Sequence, residues 1–131
     1  DMRGEDPEIP VARAAAQAAG IPLQRYYRTG NQTYLLVLND STDIRLEGVT
    51  LLHSPLWNIR LNECNRVFIR GLHIYSDLEK GVNADGIDIV STSNVVISDC
   101  VIVTADDAIV LKAHGRGNAP AKPVENITVT N

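Results

Sequence analysis

The chain has 131 residues and a formal net charge of −4, the size of one domain or part of one, and its mildly acidic balance excludes a general nucleic-acid binder, which needs a basic face. Apolar residues at 44% and charged residues at 21% are ordinary for a folded chain, while aromatics at 5% leave the core to aliphatic side chains and two cysteines cannot staple a disulfide scaffold. The longest aliphatic–aromatic run, Tyr34–Leu38, is far short of the ~20 residues a membrane helix needs. The chain opens at Asp1 without a basic segment followed by an apolar one. It ends at Asn131 inside an apolar–polar alternation, and it reads as a fragment of a longer protein.

In chain order, residues 1–33 form a segment of their own. Its alanine-rich stretch Val11–Ala19 predicts a short helix, closed by Gly20 with Pro22 beyond it. This helix is expected to pack beside the elements that follow or to cover their first edge. Residues 34–131 are built differently, from short apolar/polar alternations that recur. The first kind is Leu36-Val37-Leu38, Ile59-Arg60-Leu61, Ile87-Asp88-Ile89 and Ile109-Val110-Leu111. A second kind starts 8 residues later in the first three cases: Ile44-Arg45-Leu46, Val67-Phe68-Ile69 and Val95-Val96-Ile97, with Ile127-Thr128-Val129 completing the set. A third kind follows the second by 5 residues: Val49-Thr50-Leu51, Leu72-His73-Ile74 and Cys100-Val101-Ile102. The bends between second and third kinds carry Glu47-Gly48, Arg70-Gly71 and Ser98-Asp99, and glycine suits a tight bend.

Period 2 is the strand signature. A three-strand unit of ~22 residues cannot bury its own apolar face, but stacked units can. Stacking makes every strand parallel to its copy one coil away, which is a parallel β-helix of about four coils, all-β apart from the N-terminal helix. A leucine-rich repeat lacks its recurring pattern here, and eight-residue spacings leave no room for the helices of a doubly wound sheet. Two stretches exceed the period, Ser76 to Val82 and Lys112 to Lys122, and both read as surface loops.

The same register aligns polar residues. Tyr34, Trp57, Asp85 and Asp107 each lie two residues before a first-kind segment. Asp85 and Asp107 should therefore stand about one strand spacing apart, with Asp106 adjacent. Aspartate is common at turns, which is the ordinary reason to find it there. A register-matched pair beside a third acid says more. Like charges that close raise the proton affinity of at least one member, and such a set can hold a proton donor and a proton acceptor together.

These residues resemble a known family. Asn83-Ala84-Asp85-Gly86-Ile87-Asp88, followed by Asp106-Asp107-Ala108-Ile109-Val110-Leu111-Lys112, is similar to the Asn-Thr-Asp-Gly and Asp-Asp pair of glycoside hydrolase family 28, the polygalacturonase-like pectinases. Ser54-Pro55-Leu56-Trp57 resembles that family's Ser-Pro-x-Trp. The resemblance implies a right-handed parallel β-helix that hydrolyses pectic chains with inversion. It implies Asp106 as general acid and Asp85 and Asp107 as the pair that deprotonates water. Asn83 and Trp57 are the expected substrate contacts, Trp57 either stacking on a sugar ring or filling a bend. It assigns no cofactor and no metal. It further implies a monomeric extracellular or periplasmic protein acting on pectic polysaccharide or oligosaccharide, with no nucleic-acid or membrane partner. Inversion asks for acid and base carboxyls ~6.5–9.5 Å apart. Because strand neighbours face opposite ways, Asp106 and Asp107 can share a cleft only if the chain bends before Ile109.

Ala84 stands where the family has Thr. The family's later His-Gly and Arg-x-Lys motifs are absent, and His114-Gly115 falls one coil too early to supply the first, so the chain alone is expected to be inactive. Two rival readings are a calcium-dependent pectate-lyase-like helix, in which the acids bind the metal, and a non-catalytic carbohydrate-binding helix, which the shortage of basic residues would fit. Cys64 and Cys100 occupy different places in the repeat and are expected to be free thiols. Asn65, Asn94 and Asn126 are expected to stack at a bend. The sequons at Asn31, Asn39 and Asn126 carry little weight.

Overall fold

The computed structural model describes residues 8–21, 33–78 and 81–131. The boundary at residues 33/34, the Asn31 sequon and the middle of the loop after Ser76 fall partly or wholly outside them. Helix α1 spans Glu8–Ala18. It starts earlier than the alanine run because Pro10 is compatible with a first helical turn, where its missing N–H has no partner to lose. Gly20 closes it at φ +68°. The Ile21 N–H bonds to Ala16 C=O and the Gly20 N–H to Gln17 C=O, the paired 6→1 and 5→2 bonds of a Schellman cap. Of its described side chains only Ala16 is buried and Val11 is exposed. Among the described residues the backbone of α1 makes no close approach to any strand.

Eleven strands follow among the described residues: β1 (Leu36–Asn39), β2 (Thr42–Glu47), β3 (Thr50–Leu52), β4 (Ile59–Asn62), β5 (Asn65–Arg70), β6 (His73–Tyr75), β7 (Ile87–Val90), β8 (Ser93–Ser98), β9 (Val101–Val103), β10 (Ile109–Lys112) and β11 (Glu125–Thr130). They form three parallel sheets, ordered β1-β4-β7-β10, β2-β5-β8-β11 and β3-β6-β9. This is a right-handed parallel β-helix, with three coils of three strands and two strands of a fourth. The register is the one read from the repeats: Leu36 pairs with Ile59, Ile59 with Ile87 and Ile87 with Ile109. The third-kind strands begin one residue later than the alternation implied, at Thr50, His73 and Val101, because a left-handed bend residue precedes each. Gly48 and Gly71 take φ of +63° and +61°, and Asp99 takes +55° in the third copy.

Inward residues stack rung upon rung. Ile59, Leu61, Val67, Ile69, Leu72, Ile74, Ile87, Ile89, Val95 and Ile97 make the core and are buried almost completely. Each contributes roughly 1.5–3 kcal/mol through lost apolar surface. Their counterparts in the outer coils, such as Leu36 and Ile109, are only partly buried, since a stack covers its end members on one side. The asparagine ladder is present, with the Asn126 amide donating to Asn94 and the Asn94 amide to Asn65. Cys64 and Cys100 are free. The loop after β10 lies back across the turns that join the first two sheets. Arg116 pairs there with Asp40 and Glu63, Lys122 pairs with Glu63, and the Ser91 hydroxyl donates to His114 C=O. His114 itself is exposed in that loop.

Candidate active site

The acids sit where the chain passes from the third sheet into the first. Asp85 precedes β7 and Asp107 precedes β10 in matching register. The Gly86 N–H bonds to Asp107 C=O at 2.8 Å and the Ile87 N–H to Ala108 C=O at 3.0 Å. Gly86 is required by this close approach: a Cβ there would stand 2.3 Å from Ala108 O and 2.7 Å from Ile102 Cγ2. On the other side the Asn58 N–H bonds to Asp85 C=O at 2.8 Å. The buried Asn58 amide also donates to Asp85 C=O and to Ser76 Oγ, and Ser76 Oγ donates to Ala84 C=O. Asp85 is thus held from three directions.

The chain bends at Ala105, Asp106 and Ala108, as sharing a cleft demanded. The bend is pinned by Thr104 Oγ1 donating to Asp106 C=O and by the Asp107 N–H donating to Asp106 Oδ1. Carboxylate oxygens of Asp85, Asp106 and Asp107 then lie within 4.8 Å of one another. The Asn83 amide bridges two of them, 3.3 Å from Asp85 Oδ1 and 3.2 Å from Asp106 Oδ2. Register places Asp85 and Asp107 one rung apart, and adjacent coils stand ~4.8 Å from one another. Two hydrogen bonds of ~2.8 Å each let one water bridge such a gap.

Asp85 is 3% exposed while Asp106 and Asp107 face solvent. Burial raises the proton affinity of Asp85, and the neighbouring Asp106 charge adds to the rise against the opposing pull of Lys112. A carboxylate so shifted is a better base than an ordinary one.

Sequence reasoning missed the charged residues beside this cluster. Asp88, fully buried on β7, is pushed up to about 6, chiefly by burial and against the pull of its hydrogen bond from Lys112. Lys112 pairs with Asp88, stands 3.6 Å from Asp85 Oδ2 and places its ammonium 3.9 Å from the centre of the Trp57 ring. Arg60 lies 5.3 Å from the same ring and 5.2 Å from that of Tyr34, and the two rings are 5.2 Å apart. Trp57 is therefore a platform for cations. Arg60 and Asp88 were findable, because they pair in register between inward-facing neighbours. Nothing in the spacing marks Asn58 or Ser76.

The chain is similar to known proteins. The family described as Glycosyl hydrolases family 28 matches residues 24–131. A protein named "Probable polygalacturonase" from Arabidopsis thaliana is 42% identical over 84 residues, covering 64% of this chain and 18% of the relative. A polygalacturonase of Chamaecyparis obtusa is 33% identical over 99 residues, 76% of this chain and 17% of the relative. Among solved structures, the polygalacturonase from Erwinia carotovora ssp. carotovora superposes with a TM-score of 0.71 at 24% identity, covering 94% of this chain and 29% of that one; the likeness is one of fold. The chain spans less than a fifth of the curated relatives it matches.

Proposed function

We propose that this chain, which belongs to glycosyl hydrolases family 28, supplies the acidic centre of a glycosidase that cleaves pectic polysaccharide by inverting acid–base hydrolysis. The reading is supported above all by the meeting of Asp85, Asp106 and Asp107 in one patch. Asp106, exposed at the bend, serves as general acid and protonates the leaving oxygen. Asp85 and Asp107 share one water and remove its proton as it attacks the opposite side of the sugar. The raised proton affinity of Asp85 suits it to accept that proton.

Asn83 and Trp57 contribute to substrate placement, Asn83 by fixing the acids relative to one another and Trp57 by carrying the neighbouring cations. The substrate is a polyanion, and Arg60 and Lys112 give this face the local positive charge such a ligand needs. The intact protein acts outside the cytoplasm, as a monomer. A lyase reading, in which the acids hold a hard cation, is less favoured because the Lys112 ammonium already stands beside Asp85 and Asp88.

The test is Asp106→Asn in the intact protein, assayed by release of reducing ends from polygalacturonate. Loss of acid catalysis should lower kcat by about 10²–10⁴-fold. Turnover like that of the wild type would refute the role of Asp106.

A further inference from the structure

We infer that Arg60, framed by Tyr34 and Trp57, is a carboxylate-binding subsite for a uronic acid residue adjoining the one that is cleaved. The inference takes its substrate class from the function proposed above. Arg60 stands on β4 between Ile59 and Leu61, both buried in the core, so its side chain lies on the outer face of the sheet. It pairs in register with Asp88 of the next coil, and the acids belong to that coil and the one after it. A chain of sugars lying across the coils passes from the acids to Arg60 within one rung, ~4.8 Å along the axis.

The guanidinium is already in place. Its Nη1 donates to Tyr34 Oη at 3.0 Å, and its central carbon stands 5.2 Å and 5.3 Å from the centres of the Tyr34 and Trp57 rings. Among the described residues no carboxylate lies within ion-pair distance of it, and it acts on Asp88 of the next coil only through space, whereas Arg66, Arg70, Arg116, Lys112 and Lys122 each have an acidic partner at ion-pair distance. Its Nε is buried and its Nη1 is held by Tyr34, so Nη2 is the donor left to face a ligand. A guanidinium held in place and lacking an ion-pair partner is suited to a carboxylate through a charge-assisted hydrogen bond.

Binding is to be measured by titration calorimetry with hexagalacturonate and with its fully methyl-esterified counterpart, on the intact protein carrying Asp106→Asn to stop turnover. Adding Arg60→Gln should weaken the acid oligomer about tenfold, the loss of one charge-assisted pair, and weaken the ester less than about twofold, since it has no charge to lose. Equal losses on the two, or no loss on either, would overturn the subsite. If circular dichroism shows that Arg60→Gln does not fold, Arg60→Lys replaces it: a smaller loss confined to the acid oligomer supports the subsite, and equal or absent losses overturn it. Binding that depends on Arg60 in a wild-type protein that releases no reducing ends would sink the hydrolase reading and leave the subsite standing. Hydrolysis with binding indifferent to Arg60 would do the reverse.

Discussion

Asp88 and Lys112 meet on the outer face of the first sheet, and their pairing governs the charge around Asp85. Asp88 has its proton affinity raised from 3.8 to about 6. The native state therefore binds this proton more tightly than the unfolded chain does. The stabilisation is full below the ordinary aspartate value and declines as pH rises toward 6, a loss of ~3 kcal/mol at neutrality by linkage. Asp43, Glu63 and Asp99 are shifted the other way by their hydrogen bonds to Arg66, Lys122 and Asn131 respectively, so their stabilisation is lost only in more acid solution, below this window. Asp88→Asn should flatten the change of Tm between about pH 4.5 and 7, measured by thermal unfolding at a series of pH values; an unaltered profile would show that Asp88 does not titrate there. At this scale the three acids were legible, because register and adjacency are properties of the chain. Lys112 was not assigned to the site, because its reach back to Asp85 and Trp57 depends on where a long side chain points.

At the scale of elements, the entry to β7 and the entry to β10 are pressed together, and Gly86 is what lets them meet. Gly86→Ala should force the two backbones apart, cost about 1–3 kcal/mol as overpacking does, and lower hydrolysis beyond its effect on Tm, because Asp107 loses its register with Asp85. Gly71 offers the comparison. It holds a positive φ, +61°, which Gly86 does not, and a Cβ there meets nothing within 4 Å. Gly71→Ala should cost only the ~1–2 kcal/mol of left-handed strain and leave turnover alone. Similar activity losses for the two would show that Gly86 has no special part in placing the acids. The first strand of each coil begins where it was read, and the second strand contains its alternation but starts two residues earlier, at Thr42, Asn65, Ser93 and Glu125, where polar residues already pair. The third strands slipped by one residue because a bend residue looks apolar or polar without regard to its φ. Asp99 takes the conformation that glycine holds in the two coils before it, which composition cannot announce.

For the whole molecule, stacking does two tasks with one geometry. Repetition at the rung spacing buries the aliphatic columns, and the same repetition carries Asp85 and Asp107 into contact range from 22 positions apart in the sequence. The solenoid was legible because period and repeat are sequence-level facts. The approach of Asp106 to the other two acids was not, since it arises only when rung spacing and the bend at Ala105–Ala108 act together. The central claim is that these three carboxylates hydrolyse a pectic chain through a shared water. Proton NMR of the first product formed by the intact protein on polygalacturonate addresses it most directly. A saturated product with its anomeric configuration inverted is the predicted result; an unsaturated product, or one with the configuration retained, would contradict it.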